Sequence, residues 1–402
     1  METIKSVNRA LFHGGSPLGA WIWALAMAGL LGGCSLAPRA PVPTSLLNDS
    51  LFESPAQAPD PSAVFRLSPA MLDYAHTELA ALARLPDPRQ ALIEALYQKG
   101  RLRLEYDSSY TRHAAQAFEA RAGNCLSLVI MTAAFAKHMG LPVQYQAVLS
   151  DDFYSQSGTL LMASGHVNMV LAPPLARQVI GRNDQVSFTV DFLPRDDLAG
   201  QVTRPLEEKT IVAMYLNNRA AELLAAGRPA DAYWFTRAAL QHDPHFHAAA
   251  NTLGVIYARS GHLGLAEAAY RIAWAAEPAS TSSLSNLARL LRQQGRDAEA
   301  APLVAQLDRL QPDPPFHHFR QGVAAMQAGQ FDSANEHFRR ELRLQPFQDE
   351  VHFWAAQAAL QLGDRAKAMR HLQRAWDFSR TRGMQERYSA KLEHLRSSTR
   401  LQ

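Results

Sequence analysis

Glycines recur every 34 residues through the second half of the chain, and this period constrains the fold more than any other feature. The glycines in question are Gly227, Gly261, Gly295, Gly329 and Gly363. Alanine follows each of them by five residues, and proline keeps the same step at Pro244, Pro278, Pro312 and Pro346. A period of this length is typical of a helix–turn–helix unit that stacks on its neighbours. The second half of the chain is therefore predicted to be an all-helical solenoid.

Glycine at the turn between two helices, alanine where the helices touch and proline after the second helix resemble the tetratricopeptide repeat. On this phasing five repeats span residues 213–382, and residues 383–402 form a capping helix and tail. The resemblance implies that the array binds a protein or peptide partner along its first helices. Asn218, Asn251 and Asn286 fall in those helices and are predicted to contact the peptide backbone. The alternative is that these three side chains are only solvated.

The first 33 residues differ from the rest of the chain. Lys5 and Arg9 precede an uncharged, mostly apolar run that ends in small residues. A basic start and a small-residue end are typical of a secretory signal peptide. The apolar core, residues 18–31, is shorter than the roughly 20 residues that a membrane-spanning helix needs. Residues 1–33 are therefore predicted to be a signal peptide.

The four residues that end at Cys34 (LGGC) resemble the bacterial lipobox. The resemblance implies cleavage before Cys34 and attachment of diacylglycerol to its sulfur. Ser35, in place of Asp, resembles lipoproteins sorted to the outer membrane, so we expect a lipid-anchored protein on its periplasmic face. The alternative is an ordinary signal peptide with an incidental cysteine. Residues 34–65 contain six prolines and are predicted to be a lipidated N terminus and an extended tether.

The chain contains two cysteines, and lipidation of Cys34 would leave Cys125 as the only thiol. No intramolecular disulfide would then be possible in an oxidising compartment. An unpaired thiol is a liability there unless it is buried or used, which favours a functional role for Cys125. The net charge of +3 over 402 residues does not indicate nucleic-acid binding.

Cys125 precedes a long apolar run that predicts a buried helix over residues 126–139. Gly123 and Asn124 suit a tight entry turn, so Cys125 should stand in the first turn of the helix. Unpaired backbone N–H groups and the helix dipole favour an anion at that position, and thus a nucleophilic thiolate. The alternative is a small buried cysteine with a packing role.

Three strands are predicted after this helix, over residues 143–150, 165–171 and 186–192. Residues 151–164 are rich in turn formers and are predicted to be a loop at the rim of a substrate cleft. Alternation places His166 on the polar face of the second strand and Asp191 on the polar face of the third.

If the second and third strands pair, His166 and Asp191 come within hydrogen-bond reach. Cys125 would then attack, His166 would take its proton, and Asp191 would fix the imidazole tautomer. Beyond the backbone N–H of Cys125, the candidates for a second oxyanion donor are Asn124, Gln116 and Asn168.

The order of cysteine, histidine and aspartate, with the motifs RAGNC (121–125), GHV (165–167) and VDF (190–192), resembles the transglutaminase-like superfamily. The resemblance implies an α+β domain over residues 66–205 with a papain-like active site. It also implies acyl transfer through a thioester on peptide or protein amide bonds, by hydrolysis or transfer to an amine. Family members often carry an aromatic residue where Asn168 stands. The alternative, from a different class, is a non-catalytic envelope scaffold that binds partners through the repeats.

No metal or other cofactor is predicted. The histidine groups at residues 242–247 and 317–318 lack a carboxylate or thiol that would complete a metal site. His113 and His138 have no partner at metal spacing and are interpreted as structural.

Overall fold

The computed structural model describes residues 40–82, 85–97, 102, 104–107, 110–157, 160–172, 188–192, 202–379 and 381–397. The predicted signal peptide and Cys34 lie outside the described residues, so the lipid anchor stays a prediction. Among the described residues, no helix combines the length and the hydropathy needed to cross a membrane.

The part of the chain before the repeats combines helices with a small sheet. Its elements are α1 (Pro69–Tyr74, continued by a π-helical turn, Ala75–Leu79), α2 (Pro88–Tyr97), β1 (Glu105–Tyr106), α3 (Ala114–Ala120), β2 (Ala122–Gly123), α4 (Cys125–His138), β3 (Val143–Ser157), β4 (Leu160–Leu171), β5 (Phe188–Val190) and β6 (Thr203–Leu206). Three short 3-10 helices precede them, at Thr44–Leu46, Asp49–Leu51 and Pro61–Ala63. The strands β5, β4, β3 and β6 form an antiparallel sheet in that order, and β1 pairs with β2 in parallel.

Helix α4 corresponds to the helix predicted after Cys125. Every residue from Leu126 to Ala136 is buried, as the continuous apolar run requires. Asn124 caps the helix, because its side chain accepts a hydrogen bond from the backbone N–H of Ser127 at 2.9 Å. A Cβ on Gly123 would lie 2.6 Å from the Cβ of Ser127, so the entry turn has no room for a larger residue. This packing sets Cys125 in the first turn.

The loop predicted over residues 151–164 is wrong for most of its length. Strand β3 continues to Ser157 and β4 begins at Leu160, with Cα pairs from Phe153 with Ser164 to Ser157 with Leu160. Turn-forming residues are accommodated in these strands because the backbone pairing of a hairpin outweighs local preference.

The rest of the chain, from Glu208 onward, is helical. Its helices are α5 (Glu208–Ala225), α6 (Pro229–His242), α7 (His247–Arg259), α8 (Leu263–Ala276), α9 (Thr281–Gln293), α10 (Asp297–Leu310), α11 (His317–Gln327), α12 (Phe331–Leu344), α13 (Asp349–Gln361), α14 (Arg365–Asp377) and α15 (Arg382–Ser397). They form five successive pairs and a final helix, so the predicted helical solenoid is confirmed.

The 34-residue period has a direct structural cause. All five periodic glycines have φ between 71° and 83°, the left-handed region that a side chain disfavours. The alanine five residues after each of them is fully buried, at Ala232, Ala266, Ala300, Ala334 and Ala368. The helices of the second pair also touch closely, since a Cβ on Gly254 would lie 2.5 Å from the ring of Tyr270.

The tether predicted over residues 34–65 is wrong where the structure describes it. Residues 42–56, here called the strap, pack against the first two helix pairs. Val42 and Leu46 are buried, and the ring of Phe52 stacks on Tyr233 with centroids 4.2 Å apart. Prolines are compatible with this packing, because they favour an extended backbone. The polar contacts are Val42 N to Pro244 O (2.8 Å), Tyr257 OH to Leu46 O (2.7 Å), Tyr233 OH to Asp49 Oδ1 (2.7 Å), Trp234 Nε1 to Glu53 O (2.6 Å) and Ala56 N to Asp231 Oδ1 (2.9 Å).

One apolar core joins the strap, the helices and sheet of the first part, and the first three helix pairs as far as Leu303. Separate clusters form the interior of the last two pairs. The described core is therefore divided between α10 and α11, where the linker of residues 311–316 contains three prolines.

Candidate active site

His166 and Asp191 meet across neighbouring strands, as the sequence predicts. Nε2 of His166 lies 2.7 Å from Oδ1 of Asp191, and the side chains are only 2% and 1% exposed. His166 belongs to β4, whereas Asp191 directly follows β5, which pairs with β4 in antiparallel. The antiparallel pairing of the two strands therefore brings the imidazole and the carboxylate together.

Cys125 reaches the same cluster from the first turn of α4, where its side chain is partly exposed. Burial lowers the pKa of His166, but hydrogen bonds and charge interactions with Asp191 and Cys125 outweigh it and raise the pKa to about 9. The imidazole is therefore protonated at neutral pH. His166 thus lies in hydrogen-bond contact with both Asp191 and Cys125.

Asn168 contacts the other oxygen of the same carboxylate. Its Nδ2 donates to Oδ2 of Asp191 at 2.9 Å, and its side chain is buried. The sequence offered Asn168 as an oxyanion donor, but the structure directs its amide N–H to the carboxylate. Asp191 is thus held by a different residue at each oxygen.

Asn124 and Gln116, the other two candidate oxyanion donors, serve as helix caps. Oδ1 of Asn124 accepts from the backbone N–H and the hydroxyl of Ser127, and its Nδ2 donates to Oγ1 of Thr111 at 2.9 Å. Gln116 accepts from the backbone N–H of His113 in a capping box at the start of α3. Neither contact directs an amide toward Cys125, and the backbone N–H of Cys125 stays the predicted oxyanion donor.

A hydrogen-bonded connection between α4 and the first repeat was not predicted. The backbone N–H of Thr111 donates to Oε1 of Glu222 in α5 at 2.6 Å, and the Thr111 hydroxyl accepts from the α4 cap Asn124. Burial raises the pKa of Glu222, although Arg219 and Thr111 oppose the effect. The partners are 111 residues apart and match no motif, so the sequence carried no signal of this contact.

Arg112 contacts the N-terminal end of α4. Its backbone N–H donates to Oγ of Ser127 at 2.8 Å, and its guanidinium pairs with Asp107 at 2.7 Å. The guanidinium carbon lies 3.9 Å from the ring centre of Tyr110. These contacts fix the chain that leads to the cysteine.

The structure brings together two of the three asparagines predicted to contact a peptide. Nδ2 of Asn286 in α9 donates to Oδ1 of Asn251 in α7 at 3.0 Å, and Arg289 donates to Asn286 at 3.0 Å. Asn218 lies in α5, half-buried and outside this pair. The first helices of the second and third repeats therefore carry a continuous polar row.

Three histidines outside the candidate site have structural partners. His113 caps α3, and Nδ1 of His352 lies 3.0 Å from Nδ1 of His371 between α13 and α14. Within the described ranges, no group of three or more His, Cys, Asp or Glu side chains is arranged to hold a metal ion.

A family model described as tetratricopeptide repeat matches residues 251–315 and 319–380. The predicted repeats are confirmed over those residues. A search of curated proteins found no match to the chain.

Several solved structures are similar to the chain. MamA AMB-1 is 25% identical and covers 41% of this chain and 90% of its own, with a TM-score of 0.24. YrrB, titled a TPR protein with an unusual peptide-binding site, is 20% identical and covers 43% and 89%, with a TM-score of 0.25. TTC0263, a thermophilic TPR protein in Thermus thermophilus, is 19% identical and covers 45% and 98%, with a TM-score of 0.27.

Proposed function

We propose that the chain is a cysteine-nucleophile enzyme that acts on peptide or protein amide bonds, and that its repeats recruit the protein substrate. The observation that carries the proposal is the contact of Cys125 with His166, whose Nε2 is held 2.7 Å from Asp191. The resemblance to the transglutaminase-like superfamily supports the same chemistry. Water as acceptor makes the reaction a hydrolysis, and an amine makes it an acyl transfer.

The three side chains supply the proton transfers of such a reaction. Because Nε2 of His166 faces Asp191, we infer that Nδ1 exchanges a proton with Cys125. The thiolate adds to the amide carbonyl, the C–N bond breaks, and the imidazolium protonates the departing amine. Water or a second amine then adds to the thioester, loses its proton to the imidazole, and displaces the thiolate. The backbone N–H of Cys125 stabilises the oxyanion in both halves.

The repeats supply the protein-binding half of the proposal. Tetratricopeptide repeats match over residues 251–315 and 319–380, and the polar row of Asn251, Asn286 and Arg289 offers hydrogen bonds to a peptide backbone. The contact between Thr111 and Glu222 keeps α5 beside the N-terminal end of α4. A protein bound on the array is thereby kept close to the cysteine.

The proposal extends to location. The lipobox-like sequence at Cys34 and the basic, apolar leader before it support a lipoprotein anchored on the periplasmic face of the outer membrane. Mass spectrometry of the membrane-extracted protein should show an acylated N-terminal Cys34. An unmodified, freely soluble mature protein contradicts this part of the proposal.

A second function, a non-catalytic envelope scaffold, is favoured by the family match, because the matched residues belong to the protein-binding repeats. Acylation of Cys125 by an ester substrate distinguishes the enzyme from the scaffold. An activated ester such as p-nitrophenyl acetate should give a burst of p-nitrophenol and an acetyl group on Cys125, and Cys125→Ser should abolish both. A chain that gives no burst and no acetylated Cys125 is a scaffold.

A further inference from the structure

Asp191 is the only group of the triad that must keep one rotational position while the other two exchange protons. The torsion that turns a carboxylate about its Cβ–Cγ bond is broad, so a single hydrogen bond leaves the group free to swing. In this chain His166 contacts Oδ1 and Asn168 contacts Oδ2. Two donors on different oxygens restrict that torsion.

The amide of Asn168 has one orientation that the site accepts. With Nδ2 on Asp191, the Oδ1 of Asn168 is buried and has no hydrogen-bond partner among the residues that the structure describes. The reverse orientation would set that oxygen against a carboxylate oxygen, which is repulsive. A buried acceptor without a partner is destabilising, so this position is not optimised for stability alone.

An apolar residue at this position would avoid the unpartnered oxygen but would remove the hydrogen bond from Asn168 to Oδ2 of Asp191. The buried amide of Asn168 therefore supplies a hydrogen bond that the Asp191 carboxylate uses.

We propose that Asn168 is a positioning residue that acts through Asp191: its amide fixes the carboxylate, and the fixed carboxylate orients His166 toward Cys125. The proposal rests on the proposed function, since it assigns Asn168 a task within the same triad. It replaces the oxyanion role that the sequence suggested. In this role Asn168 needs no contact with the substrate or with the reacting sulfur.

A double-mutant cycle on the full-length protein tests this. Asn168→Leu, Asp191→Asn and the double variant are labelled with iodoacetamide from pH 5 to pH 10, and the rate at Cys125 is followed by peptide mass spectrometry. Asn168→Ala is a second variant, should the leucine fail to fold. Thr236→Val, which removes a buried hydrogen bond in α6 far along the chain, is the control.

Asn168→Leu should slow labelling at pH 6 by about tenfold, the value of one hydrogen bond to a charged group. Its rate should rejoin that of the unchanged protein near pH 10, where the thiol ionises without the imidazole. In the Asp191→Asn background the same substitution should change nothing, because its effect passes through the carboxylate. Thr236→Val should label like the unchanged protein.

Effects that add in the double variant would overturn the proposal, because Asn168 would then act independently of Asp191. A normal rate in Asn168→Leu alongside a slow rate in Asp191→Asn also overturns it, and leaves the triad intact. Normal rates in both single variants contradict the triad itself, so the two failures are distinguishable.

Discussion

The backbone N–H of Thr111 donates to the half-buried carboxylate of Glu222 at 2.6 Å, and this contact joins the approach to the cysteine helix to the first helix of the repeats. Asn124, the cap of α4, donates to the hydroxyl of the same threonine. The candidate site and the repeat array are thus held by shared hydrogen bonds as well as by a shared apolar core.

Replacing Glu222 should weaken this connection. Glu222→Ala leaves the Thr111 N–H without its acceptor, and we expect a loss of about 1–3 kcal/mol in the free energy of unfolding. Burial raises the pKa of Glu222, so folding favours the protonated carboxyl and stability should fall as pH rises from 4.5 through that pKa. Denaturant unfolding at several pH values measures both effects. Glu222→Gln should remove this pH dependence, and an unchanged pH profile in Glu222→Gln would show that another group causes it.

The strap should contribute to stability through Phe52. Phe52→Ala removes the stacking on Tyr233, and we expect a loss of about 2 kcal/mol, less than for a fully buried phenylalanine. Leu149→Ala is the control, because Leu149 is 56% exposed and should change stability by less than about 0.5 kcal/mol. Thermal unfolding followed by circular dichroism measures both. Equal midpoints for the two variants would mean that the strap is not packed in solution.

The periodic glycines should be sensitive to substitution where a neighbouring glycine is not. Gly261 has φ of 83°, so Gly261→Ala should cost about 1–2 kcal/mol. Gly264, three residues later in the first turn of α8, has open space around its Cα, so Gly264→Ala should be neutral or slightly stabilising. Unfolding midpoints of the two variants test the turn geometry. A tolerated Gly261→Ala would contradict it.

The repeats could be predicted in detail because one period fixes many residues at once. Each interval contains a glycine that needs positive φ, an alanine that allows close contact and a proline that follows a helix, and all three occur at a constant step. The contact of His166 with Asp191 was predictable for a related reason: strand alternation puts the two residues on polar faces, and antiparallel pairing brings those faces together.

The contacts that could not be predicted from the sequence are either long-range or depend on which of several acceptors a hydrogen-bond donor selects. The strap was predicted to be a linker because its prolines suggest an extended chain. Nothing in the sequence around Phe52 predicts that its ring stacks on Tyr233. Asn168 and Asn124 were correctly placed near the site, but residue type alone does not say which acceptor an amide selects. The pairing of residues 153–157 with residues 160–164 shows that backbone pairing overrides local turn preference.

Because the pKa of His166 is raised in the folded state, the free energy of unfolding should depend on pH. The folded pKa of about 9 exceeds the ordinary value of 6.5, so the stabilisation is fully present below pH 6.5 and is lost as pH rises through 9. The proposed thiolate of Cys125 releases a proton on folding where His166 gains one, so the two effects offset each other up to the free-thiol value of about 8.5, and the unfolding midpoint should fall as pH rises beyond it. His166→Gln should flatten the profile above that value. A slope that persists in His166→Gln would assign the pH dependence to other groups.

The central claim is that Cys125 is a nucleophile paired with His166, and the pH dependence of its alkylation tests this most directly. Iodoacetamide should label Cys125 of the native protein readily at pH 6, where His166 is protonated and favours the thiolate. In His166→Ala the rate at pH 6 should fall at least about tenfold and recover only as pH rises past about 8.5, the value of a free thiol. Equal rates in the two proteins at every pH would contradict the claim and leave a repeat protein that binds its partners without catalysis.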